Sequence, residues 1–442
     1  MNSLAKPLSV SLLLCLGFFG ATYRTSAQVV GSSHKRVPQD PDAIALNNLL
    51  ANAQAALDRK DFAAAATDYQ SYLEKKPDDA AIHFQLGYAF TALQKFDDAK
   101  TQYLKAIDLN PKMAEAYLNL GLTLLNSDPA AAIAPLQQAA ELLPNQQRPK
   151  FALGVAYERS EKPLQAIEQY QAAEKLDDHD FETHLALGRL LLGANRPAEA
   201  ENEFRAALAI EKDSAPAHSG LAQSLVTQKK SDAAAQEFQT YLALAPNDRA
   251  AQLEHASLLF NAGKLDESLA ELDRLAAGGP EDLPALKLRA LIFMQKNQYT
   301  DAVPVLLKAI ALTPKDPDLP AELGHAYLKK KDYPSAVQEL IVAMNANPRS
   351  IDVLNDLVVA EYLNKNYSAA LSGLDILAKH EDLSFGSWFI RATCYDKLGQ
   401  AAPALAAYQK FLQLNKDETS DMYFEASARA RTLARELKDK KR

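Results

Sequence analysis

A small residue returns every 34 positions along almost the whole of this 442-residue chain. It runs Ala65, Ala99, Ala132, Ala166, Ala200, Ala234, Ser268, Ala302, Ala336, Ala370 and Ala404, with a single step of 33. Twelve residues earlier, eleven in the short third repeat, stands a second small residue: Ala53, Gly87, Gly121, Gly154, Gly188, Ala222, Ala256, Ala290, Gly324 and Ala392, with Val358 as the exception. Four residues after the alanine a large apolar side chain follows, as at Tyr103, Leu136, Tyr170 and Phe204. Twelve after it a proline often closes the repeat, as at Pro77, Pro111 and Pro144. A fixed period of this length signals stacked copies of one supersecondary unit.

Each position has a mechanical reason. Two small residues let a pair of helices approach closely, and the large residue fills the groove beside them. Proline cannot continue a helix, so it ends the second one. One helix pair cannot bury its apolar face alone, so copies must stack. Eleven repeats start near Leu46, Ala80, Ala114, Gln147, Phe181, Ala215, Arg249, Leu283, Pro317, Ile351 and Phe385. The seventh and tenth depart most, the tenth through Val358 at the glycine position; the seventh has Ser268 and Leu275 where alanines are usual and an Ala277-Gly278-Gly279-Pro280 end. The seventh is expected to be the loosest.

The second repeat, Ala80 to Lys112, carries Leu86, Gly87, Phe90, Ala99, Tyr103, Ala106 and Pro111. In this it resembles the tetratricopeptide repeat family. The resemblance implies an all-α, right-handed superhelical solenoid of about eleven helix-turn-helix repeats over residues 43–418, with a C-terminal capping helix and basic tail over 419–442.

Residues 1–27 read as a secretory signal peptide, with Lys6 ahead of an apolar run and Thr25-Ser26-Ala27 as a small-residue cleavage site. Cleavage is expected after Ala27, giving a periplasmic or secreted protein; the rival is an uncleaved anchor. Residues 28–42, with Gly, Ser and Pro and no period, read as a flexible linker. Losing Lys6, Arg24 and no acid takes the formal charge from −8 to −10. Such an acidic chain is repelled by phosphates, which argues against a nucleic-acid partner. Cys394 is then the one remaining cysteine, so no intramolecular disulfide can form. No other hydrophobic run is long enough to span a bilayer once the leader is removed.

No G-x-S-x-G, G-x-x-x-x-G-K, H-E-x-x-H or C-x-x-C motif occurs. The reading is a non-catalytic protein with no cofactor. The best metal candidate by proximity is His179-Asp180-Phe181-Glu182-Thr183-His184, preceded by Asp177 and Asp178. It lacks a recognised ligand spacing, and His184 falls at the repeat position of His83 and His218, where a mid-sized side chain packs between helices. No metal is expected.

The resemblance places the binding face on the first helix of each repeat. There the fifth residue is Leu50, Phe84, Leu118, Phe151 and Leu185 in the first five repeats, and the position one turn later adds Tyr88, Leu122, Val155 and Arg189. These nine form the expected groove, either as an apolar stripe for a partner or as side chains packed between neighbouring helices. The family's cationic clamp for a carboxylate terminus needs Lys and Asn at fixed positions of one repeat, and at the start these columns read Leu50, Phe84, Leu118 and Gln54, Tyr88, Leu122 instead. The function implied is a protein–protein interaction scaffold of the bacterial cell envelope, binding a peptide or protein in a concave groove. The alternatives are an accessory subunit of a cell-wall or polysaccharide-processing enzyme complex, or a self-assembling structural repeat protein.

Overall fold

Small side chains at fixed intervals set how closely successive helices approach, and that spacing builds the architecture. The computed structural model describes residues 41–439. The expected leader with its cleavage point, most of the linker, and Lys440-Lys441-Arg442 lie outside the described residues. Among these residues are 23 helices and no strand, an all-α helical repeat solenoid. Each repeat is a helix A, a tight turn and a helix B, from Pro41–Asp58 with Phe62–Lys75 to Phe385–Lys397 with Ala401–Leu414. The helix Pro41–Asp58 takes in the last two residues of the expected linker, and Asp42 complements the dipole in its first turn. Caps are local: Asp79, Asp180, Ser214 and Asp248 each accept a backbone N–H from the first turn of the A helix they precede.

The close approach is measurable. A Cβ added to Gly87 would lie 2.7 Å from Tyr103, and one on Gly154 would lie 2.7 Å from Tyr170. Tyr103 and Tyr170 are fully buried. The tenth repeat reverses this arrangement. Val358 takes the glycine position on helix A (Ile351–Leu363), and the facing helix B (Tyr367–His380) answers with Gly373, whose Cβ would fall 2.5 Å from Val358 Cγ2.

The A–B turns carry a second regularity. One residue per turn has positive φ: Lys60, Gln94, Glu161, Asn195, Lys229, Gly263, Asn297, Lys331, Lys365 and Gly399. They recur at one repeat position, and the third repeat alone has none. Its missing residue is therefore the left-handed one, and helix B there starts one position early at Pro129.

A latch joins neighbouring repeats at four boundaries. There the fourth residue of helix A bonds to the carbonyl that ends the preceding repeat: His83 to Pro77 at 2.8 Å, His184 to Asp178 at 2.9 Å, His218 to Lys212 at 3.0 Å, and Gln252 to Pro246 at 2.9 Å.

The seventh repeat differs from expectation in its detail. Ser268 is fully buried and its hydroxyl donates to Ala256 O at 2.7 Å, so the extra polar atom is satisfied. Arg249 donates to Leu275 O at 2.6 Å and to Pro280 O at 2.7 Å, tying down the Gly278-Gly279 end. Leu275 is buried where six other repeats have alanine, and helix B there approaches the next helix A less closely.

The described residues divide into two compact units after Leu244. The first holds six repeats. The second holds five and the final helix, Asp421–Asp439, which buries Ala426, Ala430 and Leu433 against Tyr408 and Phe411. There Arg429 grips Asp396 with two bonds, at 2.7 and 2.6 Å.

Candidate functional site

The nine expected groove residues separate into two groups. Leu118, Leu122, Phe151 and Val155 are buried, between 2% and 7% exposed. They are core, which corrects the stripe at its centre: these apolar side chains fill the space between neighbouring helices and offer nothing to a partner. Phe151 rests on Tyr170 with ring centroids 5.3 Å apart. Leu50, Phe84, Tyr88, Leu185 and Arg189 stay half-buried. Phe84 leans on Tyr103 at 5.9 Å and Tyr88 meets Phe62 edge-on at 6.2 Å, leaving part of each ring accessible.

At the fourth and fifth repeats the half-buried face is polar. Arg189 pairs with Glu158 at 2.5 Å, and Glu158 also accepts from the Tyr170 hydroxyl at 3.1 Å. Burial, then the Glu158 charge, drives the Tyr170 phenol well above its usual range. Arg159 donates to Leu125 O and to Asn126 Oδ1, at 3.0 and 2.9 Å. The A-helix face of the first unit is thus apolar at the first two repeats and ion-paired at the fourth and fifth. Trp388, in the second unit, is packed beside Leu354 and Val358, with the Arg391 guanidinium 5.3 Å from its ring centroid.

The run from Asp177 to His184 does not converge on one point. His179 is exposed and bonds Asp178, while Asp180 caps its helix through Thr183 N. His184 turns away to a carboxylate that the local run does not contain. Its Nδ1 lies 2.7 Å from Glu203 Oε2, and it is almost wholly buried. The bond to Glu203 is the main cause that raises its pKa to about 9, against burial. Glu174 joins the pair, its carboxyl raised by burial and then by the Glu203 charge. One ligand atom from each of Glu174, His184 and Glu203 lies within 4.8 Å of the others. Glu174 and Glu203 sit 10 and 19 residues from His184, too far for a local motif, so proximity in sequence missed them. The repeat register holds the one available signal: the position of Glu174 is apolar in every other repeat.

Burial pushes the Cys394 thiol up to about 12 and leaves it inert. Among the described residues, no helix is long and apolar enough to cross a membrane.

Comparison with known proteins adds the following. A family model described as TPR repeat matches residues 87–128. Models described as tetratricopeptide repeat match 50–99, 151–216, 185–249 and 253–317, then 293–355, then 387–417. No curated protein matches the chain. Among solved structures, MamA from Desulfovibrio magneticus RS-1 is similar at 23% identity and a TM-score of 0.37, covering 38% of this chain and 96% of its own. YrrB, described as a TPR protein with an unusual peptide-binding site, is similar at 19% identity and 0.39, covering 45% and 100%. Yeast Tom70 is similar at 14% identity and 0.31, covering 90% and 97%.

Proposed function

This chain belongs to the tetratricopeptide repeat family, and from that premise we propose that it is a scaffold of the bacterial cell envelope that binds a peptide or protein on the A-helix face of its N-terminal repeats. Proteins of this family are typically non-catalytic protein-interaction scaffolds. The observation that carries the site is the contrast along that face. Phe84 and Tyr88 keep accessible aromatic surface beside half-buried Leu50, whereas the equivalent side chains of the third and fourth repeats are sealed in the core. Aromatic side chains that combine a rigid apolar body with a reachable edge dominate binding energies at protein interfaces. The Glu158–Arg189 pair supplies a polar margin that fixes orientation more than it adds affinity. The envelope assignment rests on the leader-like composition of residues 1–27.

Site-specific photo-crosslinking in cells tests the binding face. A crosslinker at position 88 is expected to trap a defined partner, and one at the exposed Lys105 on helix B is not. Phe84→Ala with Tyr88→Ala should abolish a crosslink placed at Leu50 while the circular dichroism stays unchanged. Trapping at Lys105 but not at Tyr88 would move the site off this face. Cell fractionation with N-terminal sequencing tests the compartment, with Gln28 expected as the first residue. A chain recovered from the cytosol with its leader intact refutes the envelope role.

A further inference from the structure

We propose that Glu174, His184 and Glu203 form a binding site for a single divalent transition-metal ion of the zinc type, at the junction of the fourth and fifth repeats. Three observations bear on it. The first is the donor set. One imidazole and two carboxylates offer their ligand atoms within 4.8 Å of one another. Two metal–ligand bonds span roughly 4 Å end to end, so a modest inward movement of the carboxylates gathers all three on one ion. An imidazole in the set favours zinc-like ions over magnesium or calcium, which take oxygen ligands.

The second is the outer hydrogen bond. His184 Nε2 lies 2.9 Å from Asp178 O, a carbonyl that only accepts. Nε2 therefore donates to that carbonyl, and Nδ1, which faces Glu203, is the nitrogen an ion would take over from its proton. A backbone carbonyl behind a ligating histidine is the arrangement that fixes the tautomer at metal centres.

The third comes from the repeats themselves, which act as internal controls. The sixth repeat copies the pair, with His218 Nδ1 2.7 Å from Glu237 and His218 Nε2 3.0 Å from Lys212 O. Where Glu174 stands, however, the preceding repeat there has Leu208. In all ten other repeats this position holds Leu, Ile, Ala or Met, the residues that pack helix B. An acid placed at that one position sets a second carboxylate beside a half-buried first one. Two carboxylates this close repel each other, and a divalent ion between them would balance both.

The test uses the chelator-stripped whole protein and zinc alone, followed by titration calorimetry. Glu174→Leu is the decisive variant, because leucine is what the array uses at this position and the fold is expected to persist, as circular dichroism will show. Wild type should bind at least one equivalent of zinc saturably, and Glu174→Leu should bind one fewer. A folded Leu208→Glu should gain one, because repeat symmetry then assembles the same three groups around His218. Cobalt should report the same stoichiometries through visible bands from an ordered coordination shell. Equal zinc stoichiometry in wild type and Glu174→Leu, or no saturable zinc in wild type, overturns the proposal. A folded Leu208→Glu with no added site counts against it.

Discussion

The exchange of Val358 and Gly373 in the tenth repeat gives a quantitative test of the packing. Gly373→Ala places a methyl 2.5 Å from Val358 Cγ2, a contact that must be relieved. Overpacking of this kind costs about 2 kcal/mol. Alanine recovers about 1 kcal/mol over glycine in a helix, so the single variant should lose about 1 kcal/mol. Val358→Ala removes two methyls from a residue that is 2% exposed. At roughly 0.8 kcal/mol each, with a small cavity term, the loss is about 2 kcal/mol. In the double variant the clash is gone, because the nearest remaining atoms are Leu354 Cδ1 at 3.8 Å and Val358 Cβ at 3.9 Å, ordinary contacts. The new methyl partly refills the cavity and the helix gain is kept, so the pair should be close to wild type. The coupling is then about 2–3 kcal/mol in favour of the double variant. Trp388 packs on this same cluster and is the chain's one tryptophan, so urea unfolding followed by its fluorescence reads the right region. Additivity within about 0.5 kcal/mol would refute the reasoning, since uncoupled sites behave that way.

Three further outcomes are expected. Gly263→Ala should cost about 1 kcal/mol through its φ of 74° alone, since an added Cβ meets nothing, and an unchanged thermal midpoint would rule out the strain. His184, raised from 6.5 to about 9, contributes stability that is fully present below pH 6.5 and lost as pH climbs through 9. In the presence of chelator, protection factors across Phe181–Gly193, corrected for intrinsic exchange at each pH, should fall over that window in wild type and not in His184→Gln; the same pH profile in both would dismiss the imidazolium. Cys394 should resist alkylation in the native protein and react in denaturant, and equal rates by mass spectrometry would contradict its burial.

Much of the fold was legible because its rule is local. Glycine or alanine at one position and a large side chain at another are forced by how near two helices come, and the letters show it. The left-handed turn residue was not legible. Lys, Gln, Glu and Asn hold that conformation in eight of ten turns, and only Gly263 and Gly399 advertise it. Groove and core were also inseparable by letter. Leu118 and Phe151 match Leu50 and Phe84 in type and register, yet the first pair is buried and the second half-accessible. Apolarity gives the side of the helix; depth depends on what the neighbouring repeat places above it. Glu174 was the reverse case, a departure from pattern that is informative only once the structure brings it to His184.

The latch between repeats bears on how such a chain lengthens. Each donor, as in His83, His184, His218 and Gln252, reaches back over one boundary to a carbonyl six residues earlier. Duplicating a whole period that carries one of these four donors copies donor and acceptor together, and the new boundary can close with the same bond as the old. A duplication out of phase strands a buried donor on one side of the seam and a carbonyl on the other, a penalty of about 1–3 kcal/mol for each unmade bond. Recombination between near-identical stretches is thereby filtered by chemistry: in-frame copies survive as folded protein and slipped copies do not. The single 33-residue step falls in a turn, clear of these four latches.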